Sequence, residues 1–249
     1  MIEDIWQPPP STLKLEQSAV HVWRADLRAS QESVERFRHI LSPEEQARAQ
    51  RFYFERDRYR WTIAHGILRI LLARYTGQDP RALRFQVNAY GKPSLVQPDQ
   101  QPRLEFNLSH SHEMALYAFT WQRQIGVDVE YMRDDIGYEE LARHSFSPTE
   151  QAVLLSLATS QQKAAFFKCW SSKEAYIKGR GMGLSLELNL FDVALAPDKP
   201  VALLASREDP AEVQRWSMAK LEPGADYAGA LAVEGPLPDI SCWQWNGTL

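Results

Sequence analysis

Short apolar runs, and apolar residues that alternate with polar ones, predict six β-strands along this chain. Alternation with a period of two places one set of side chains on each face of a strand. The segments are also rich in the β-branched and aromatic residues that strands favour. The predicted strands are residues 20–26, 104–108, 115–120, 125–130, 190–195 and 228–233. Helical signals lie between them, so the pattern predicts an α+β fold.

Two distant segments carry the same signal for the start of a helix. Ser42 and Ser147 are each followed by proline and, three residues after the serine, by glutamate. A serine N-cap, proline at the first helical position and glutamate at the third form a capping box. Each segment therefore predicts a helix. If the alignment is continued with a short insertion, His65 falls opposite Glu174.

The repeated signal favours an internal duplication. We predict two similar α/β lobes related by pseudo-two-fold symmetry, residues 1–121 and 122–249. In the alignment the first lobe lacks the carboxylate that Glu174 supplies to the second. One site at the lobe interface fits this asymmetry better than two equivalent sites, because ligand pockets prefer domain boundaries.

Candidate chemistry is concentrated in two segments. Residues 126–130 read GVDVE, so a strand there holds Asp128 and Glu130 side by side on one face. Two like charges at this distance are unfavourable unless a cation neutralises them, and Mg²⁺ prefers oxygen ligands. Residues 170–178 read WSSKEAYIK and predict a helix with Glu174 and Lys178 on one face. Taken alone, the first segment is typical of a half-buried strand and the Glu174/Lys178 pair is typical of a helical salt bridge. Together, the three carboxylates and the lysine suit the binding of a metal-bound phosphate.

The charge pattern changes this picture only locally. The net charge of −4 argues against general nucleic-acid binding, although it averages over local patches. Basic residues crowd two stretches, which are either solvated helix faces or contacts for a polyanion. These are Arg48, Arg51, Arg56, Arg58 and Arg60, and Lys163, Lys168, Lys173, Lys178 and Arg180.

Composition also narrows the protein class. The two cysteines lie far apart, so neither a zinc site nor a disulfide framework is indicated. The first ten residues do not combine a basic start with an apolar run, and no apolar stretch approaches the length of a membrane span. We therefore predict a cytoplasmic protein without membrane contact.

Three further polar segments remain. Residues 106–112, FNLSHSH, are either a turn whose side chains satisfy backbone groups or a set of phosphate donors; a zinc site at His110 and His112 lacks a third ligand nearby. Residues 90–93, YGKP, are a turn with a lysine. The glycine-rich residues 179–185 lack the order of a Walker loop, and no His/Asp pair marks a hydrolase nucleophile.

These segments, in this order and spacing, resemble the signature of the 4′-phosphopantetheinyl transferases of the larger, pseudodimeric Sfp type. The resemblance is carried by residues 106–111, 126–130, 170–178 and 181–185, with residues 90–93 and 51–61 as weaker support. It implies a monomer of two lobes with one active site between them. The implied reaction moves the phosphopantetheine arm of coenzyme A to a serine of an apo acyl or peptidyl carrier protein, leaving adenosine 3′,5′-bisphosphate.

The resemblance also implies roles for residues of this sequence. Asp128, Glu130 and Glu174 would hold Mg²⁺, and Glu174, or a metal-bound water that it orients, would take the serine proton. Lys178 would contact the transferring phosphate. The implied coenzyme A contacts are Arg56, Arg60, Lys92, Ser109, His110, Lys173 and Lys178. One departure is His112, where many relatives carry glycine.

Two other classes compete with this interpretation. A metal-dependent nuclease could use similar acids, but it would normally add a broad basic track for the phosphate backbone, which a chain with a pI near 5.9 is less suited to provide. A non-catalytic module that binds coenzyme A predicts binding without turnover. The complete set of Asp128, Glu130, Glu174 and Lys178 argues against it.

Overall fold

The computed structural model describes residues 5–98 and 101–247. The first run of elements is β1 (Ala19–Asp26), α1 (Gln31–Ile40), α2 (Pro43–Ala49), α3 (Glu55–Thr76), β2 (Phe85–Val87), β3 (Pro93–Leu95), β4 (Leu104–Ser111) and β5 (Met114–Trp121). The second run is β6 (Ile125–Tyr131), α4 (Tyr138–Ser145), α5 (Pro148–Ser156), α6 (Thr159–Arg180), β7 (Phe191–Val193), β8 (Leu203–Ser206), α7 (Glu212–Arg215), β9 (Trp216–Leu221) and β10 (Tyr227–Glu234). One more strand, β11 (Asp239–Gln244), follows the second run. Apart from the short α7, both runs have the order strand, three helices, four strands.

The strands form two main sheets that follow the same pattern. Their orders are β11-β1-β5-β4 and β6-β10-β9, while β2 pairs with β3 and β7 with β8. In each main sheet the first strand of the run is antiparallel to its last strand. The final strand β11 is parallel to β1 and thus lies in the sheet of the first run. The division at residues 121 and 122 falls between β5 and β6, and it stays a prediction.

The main sheets pack face to face, and a long helix covers the outer face of each. One apolar cluster joins α3 to the first sheet, and a second joins α6 to the other. A third lies between the sheets and includes Val22, Ala118, Val127 and Leu231. Strands that are buried on both faces need apolar residues on both, which explains the near-continuous apolar run of β5.

Both predicted capping boxes are present. Ser42 Oγ accepts the amide of Glu45, whose carboxylate accepts the Ser42 amide. Ser147 and Glu150 make the same pair of bonds at the start of α5. The two boxes satisfy backbone donors that the first turns of α2 and α5 would otherwise leave unpaired.

A second repeated feature corrects the alignment of the halves. Each capping-box glutamate forms an ion pair with the long helix that follows: Arg69 pairs with Glu45 at 2.7 Å, and Lys173 pairs with Glu150 at 2.8 Å. Arg69 therefore corresponds to Lys173, and the next residue, Ile70, corresponds to Glu174. The predicted pairing of His65 with Glu174 is wrong. The first half still lacks the carboxylate, because isoleucine occupies its position.

Helix α6 and strand β6 touch where glycine permits it. A Cβ atom at Gly126 of β6 would lie 2.0 Å from the Ala175 carbonyl oxygen, and one at Gly179 of α6 would lie 2.7 Å from the Trp216 ring. A side chain at Gly126 would push the helix off the strand, and one at Gly179 would have to displace the Trp216 ring. This close approach brings the acidic residues of β6 next to the polar face of α6.

The predicted strands are all present, with changed bounds. The segment predicted at 190–195 is only three residues long, whereas the strand predicted at 104–108 continues to Ser111. The polar segment that contains His110 is therefore part of a strand instead of a turn. Short or edge strands were missed, namely β2, β3, β8, β9 and β11. Within residues 5–98 and 101–247, no helix has the length and apolar character needed to cross a bilayer.

Candidate active site

Strands β4 and β6 lie side by side at the junction of the two sheets and are joined by side chains of β4. Polar residues at every second position of β4 reach β6. The bonds run from the Val127 amide to Asn107 Oδ1, from the Ser109 hydroxyl to Asp128 Oδ1, and from the Ser111 hydroxyl to Glu130 Oε2, each at 2.9 Å. The serines thus fix two carboxylates of β6 in place.

The two carboxylates share the face of β6 that points to α6, as the alternation predicted. Val127 and Val129 point the other way, into the cluster between the sheets. Asp128 is only 2% exposed, and its Oδ2 atom is buried without a hydrogen-bond partner. Burial, and then the charge of Asp128, raises the pKa of Glu130 to about 7. The site therefore has an excess of negative charge.

Helix α6 adds a third carboxylate and a cation. Burial raises the pKa of Glu174, and the charge of Asp128 raises it further. The Lys178 ammonium donates to Asp128 Oδ1 at 2.6 Å and to Ser109 Oγ at 2.8 Å. Burial acts to lower the pKa of Lys178, but the neighbouring carboxylates, Asp128 foremost, outweigh it and raise the pKa above its ordinary value. Lys178 is thus held as an ammonium.

The acidic side chains suit a hard divalent cation. Among the residues that the structure describes, no three acidic, histidine or cysteine side chains are gathered closely enough to hold a metal as they stand. The unpartnered Oδ2 of Asp128 nevertheless offers a buried oxygen ligand, and the pKa values of Glu130 and Glu174 are raised by burial and then by the charge of Asp128. A cation would relieve both features, so the donor set fits Mg²⁺.

A cavity of about 670 Å³ opens on the Lys178 side of these carboxylates. Its wall combines four cations and two imidazoles with the rings of Trp61 and Phe85 and the carboxylates of Glu44 and Glu45, and the excess of cations suits a phosphorylated ligand. These residues include Arg48, Trp61, His65, Arg69, Arg84, Ser109, His110 and Lys178. The Trp61 ring stacks on His65 at 3.7 Å between centroids, which fixes its orientation.

His110 lies in a strongly positive part of this cavity. Burial, and then the charges of Lys178 and Arg60, lower its pKa to about 4 against a smaller opposing effect of Asp57. The imidazole is therefore neutral at pH 7 in the unliganded protein. An anion placed here would be stabilised by the surrounding cations and would raise the pKa of His110 again.

A second cavity, of about 430 Å³, opens on the Glu130 side. Its wall combines apolar and aromatic side chains with the cations of Arg60 and Arg133. The lining includes Arg60, Ser111, Glu130, Tyr131, Phe166, Phe167 and Trp170. The carboxylates and Lys178 thus lie between a basic cavity and an aromatic one.

Comparison with known proteins identifies the family. Residues 124–232 match the model of the 4′-phosphopantetheinyl transferase superfamily, and residues 25–122 match that of the 4′-phosphopantetheinyl transferase, N-terminal. The transferase HetI of Nostoc sp. is 39% identical over 235 residues, which cover 94% of this chain and 96% of HetI. Sfp of Bacillus subtilis is 36% identical over 200 residues, 80% of this chain and 85% of Sfp. This chain belongs to the 4′-phosphopantetheinyl transferase family.

The predictions of an Sfp-type phosphopantetheinyl transferase and of an α+β fold are thereby confirmed. At the site of this transferase the structure brings together Asp128, Glu130, Glu174, Lys178 and Ser109, with His110 beside them. Their individual roles remain predictions.

Three predicted coenzyme A contacts of the transferase lie away from this group. Lys173 has no exposed surface, and its ammonium is occupied by Glu150 and by backbone carbonyls of its own half. Arg56 lies on the exposed first turn of α3, 3.6 Å from Asp57. Lys92 donates to backbone carbonyls at the ends of β6 and α6. These positions favour structural roles for Lys173 and Lys92.

The turn at residue 112 forms although histidine stands where many relatives carry glycine. Its φ of +51° lies in the left-handed region that glycine favours. Histidine enters that region more readily than most residues, and its ring stacks on Tyr131 at 4.7 Å.

Sequence reasoning missed part of the basic cavity. Arg48 belonged to the basic stretch that it noted but was given no role, and Arg84 gave no signal. Ser111 had a usable signal, since it lies two residues after Ser109 and so shares its face in a strand.

Proposed function

We propose that this transferase moves the 4′-phosphopantetheine arm of coenzyme A to a serine hydroxyl of an apo acyl or peptidyl carrier protein, with Mg²⁺ bound by Asp128, Glu130 and Glu174. The other product is adenosine 3′,5′-bisphosphate. The observation that carries the proposal is the Lys178 ammonium, held by Asp128 and Ser109 between a basic and an aromatic cavity. The cytoplasmic location, the monomeric state and the absence of nucleic-acid binding stay predictions.

The basic cavity suits the nucleotide end of coenzyme A. Arg48 and Arg84 are placed for phosphate oxygens. We assign the 3′-phosphate to the neighbourhood of His110. The uncharged pantetheine arm and the carrier serine fit the aromatic cavity, where Phe166 and Trp170 provide apolar surface.

The reaction breaks the bond within the pyrophosphate between the bridging oxygen and the transferred phosphorus, and it forms a bond from that phosphorus to the serine oxygen. The bridging oxygen leaves with adenosine 3′,5′-bisphosphate. Charge builds up on the phosphate oxygens as this happens, so fixed cations stabilise the transition state. Lys178 carries one such charge, and its raised pKa keeps it protonated. When bound, Mg²⁺ neutralises further charge on the pyrophosphate.

The serine proton needs an acceptor on the carrier side of the phosphate. Glu174 suits this task because it is a carboxylate one helical turn from Lys178 on α6, and a positioned carboxylate can act as a general base. Ser109 and Asp128 keep Lys178 in place while the proton moves to a Glu174 carboxylate oxygen.

The test is incubation of the purified protein with coenzyme A, Mg²⁺ and a panel of apo carrier proteins, read by intact mass. We expect at least one carrier to gain a phosphopantetheine group and the gain to stop on chelation. Binding of coenzyme A without modification of any carrier would instead support the non-catalytic module. Cleavage of DNA in place of carrier modification would support the nuclease.

A further inference from the structure

The hairpin of β2 and β3 reaches from the first half of the chain to the end of the catalytic helix. Lys92, in the turn of this hairpin, donates from Nζ to Gln124 Oε1 at 3.0 Å, to the Ile125 carbonyl at 3.1 Å and to the Gly179 carbonyl at 2.8 Å. All three acceptors belong to the second half: two at the start of β6 and one in the last turn of α6. One ammonium thus joins three elements.

Asn88 strengthens the same contact. Its Nδ2 donates to the Gly181 carbonyl at 2.7 Å, while its Oδ1 accepts the amides of Tyr90 and Lys92 at 2.9 Å each. Gly181 has a φ of +67°, and a Cβ atom there would lie 2.8 Å from the Lys92 side chain. The hairpin turn is therefore packed tightly against the C-terminal cap of α6.

The end of a helix is where such a cation acts most strongly. The last carbonyls of α6 have no partner within the helix and carry the negative end of its dipole, so a lysine there is stabilising. Gly179 follows Lys178 directly in the chain, and Ile125 precedes Asp128 by three residues. Lys92 thus binds α6 next to Lys178 and β6 three residues before Asp128.

The environment of the Lys92 ammonium favours its bonds to the three protein acceptors over contact with solvent. Burial lowers its pKa to about 8 against the opposing charges of Glu105 and Glu234. A buried ammonium that fills three acceptors has little capacity left for a phosphate, whereas removal of its charge would leave carbonyl groups unpaired.

We propose that Lys92 is a positioning residue, which fixes the end of α6 on β6 and so sets the placement of Lys178 against Asp128. This deepens the proposed function and rests on it, because the site concerned is the one assigned to phosphopantetheine transfer. It replaces the predicted role of Lys92 as a coenzyme A contact. The two roles differ in which kinetic parameter they control.

The decisive experiment compares Lys92→Met with the wild type by kcat with a saturating apo carrier and by coenzyme A affinity in calorimetry. A misplacement of about 1 Å costs up to roughly 100-fold in rate, so we expect kcat to fall about 10- to 100-fold. Coenzyme A affinity should stay within about threefold. Lys92→Arg, which can still donate to the carbonyls, should recover part of kcat, and Lys14→Met at an exposed site should change neither quantity. Loss of coenzyme A affinity with normal kcat would overturn the proposal.

Hydrogen exchange gives a second measurement that does not depend on turnover. Amides in the last turn of α6 should exchange faster in Lys92→Met, while those of α3 keep the wild-type rate; equal acceleration in both helices, or none in α6, would also overturn the proposal. Asn88→Ala, which keeps Lys92 and loses one bond between the halves, should show a smaller effect in the same direction. If the wild type modifies no carrier, the proposed function fails, and the exchange pattern still tests the positioning role.

Discussion

Replacing Glu130 by glutamine should make the metal-free protein more stable at pH 8. Glu130 accepts a hydrogen bond from Ser111 and lies beside Asp128, and burial followed by the charge of Asp128 raises its pKa from 4.5 to about 7. Because the folded state binds this proton more tightly than the unfolded state does, the stabilising contribution is complete below pH 4.5. It is lost as the pH rises through about 7.

The size of the effect follows from the two pKa values. The shift from 4.5 to about 7 corresponds to about 3 kcal/mol between its two limits, and solvent screening of the partly buried side chain reduces it to about 1 to 2 kcal/mol. Glutamine keeps an oxygen acceptor for Ser111 but has no charge. The variant should therefore lose less stability than the wild type between pH 5 and pH 8.

The assay is urea unfolding in the presence of a chelator at both pH values. Glu187→Gln, at an exposed position, is the matched control and should behave as the wild type does. Adding Mg²⁺ at pH 8 should stabilise the wild type more than Glu130→Gln, since binding to the folded state shifts the unfolding equilibrium. A Glu130→Gln variant with the wild-type pH dependence, or with lower stability at pH 8, would refute the proposed charge repulsion.

Substitutions at three further positions test the site and the face proposed for the carrier. His110→Ala should weaken coenzyme A by roughly 1.5 to 3 kcal/mol but 3′-dephospho-coenzyme A much less, because a charge-assisted hydrogen bond is lost only where the 3′-phosphate exists; equal losses in calorimetry would place His110 elsewhere. Lys178→Ala should lower kcat strongly and leave coenzyme A affinity within a few-fold, with Lys178→Arg a partial rescue; lost affinity at normal kcat would make it a ground-state anchor. Lys163→Glu should raise the KM for an acidic carrier at low salt and spare coenzyme A binding, and an unchanged KM would exclude this face.

Lys168, which belongs to the same basic stretch as Lys163, is not placed to steer a carrier. Its ammonium donates to the carbonyls of Ala196 and Lys199 at 2.6 Å each, so it tethers the loop that follows β7. Lys163 lies 2.5 Å from Asp134 in an exposed ion pair, which a carrier helix can replace at little cost. The docking prediction is therefore carried by Lys163.

The acidic half of the site could be predicted from sequence because it depends on local geometry. Asp128 and Glu130 share a face as a consequence of the period of a strand, whatever surrounds it. The capping boxes at Ser42 and Ser147 are local in the same sense, since serine and glutamate complete them within one turn. Patterns of this kind are independent of tertiary contacts.

The remaining features depend on packing between distant segments. Lys173 and Lys178 lie on the same helix, but Lys173 points into its own half and Lys178 points to the site. Buried residues occur on several sides of α6, so the helix sequence does not distinguish the roles of the two lysines. The polar residues around Ser109 are typical of a turn, yet they lie on a strand. Their hydrogen bonds run to β6 across the sheet junction, and the local sequence gives no sign of these partners. The parallel pairing of β11 with β1 joins opposite ends of the chain and has no local signal.

The central claim is tested most directly by comparing Glu174→Gln with the wild type in one reaction mixture of coenzyme A, Mg²⁺ and a single apo carrier. Carrier mass is followed over time, and coenzyme A affinity is measured by calorimetry on the same samples. The account predicts full conversion of the carrier by the wild type and almost none by Glu174→Gln, with coenzyme A bound by both. Conversion by Glu174→Gln at the wild-type rate would contradict the assignment of the active site.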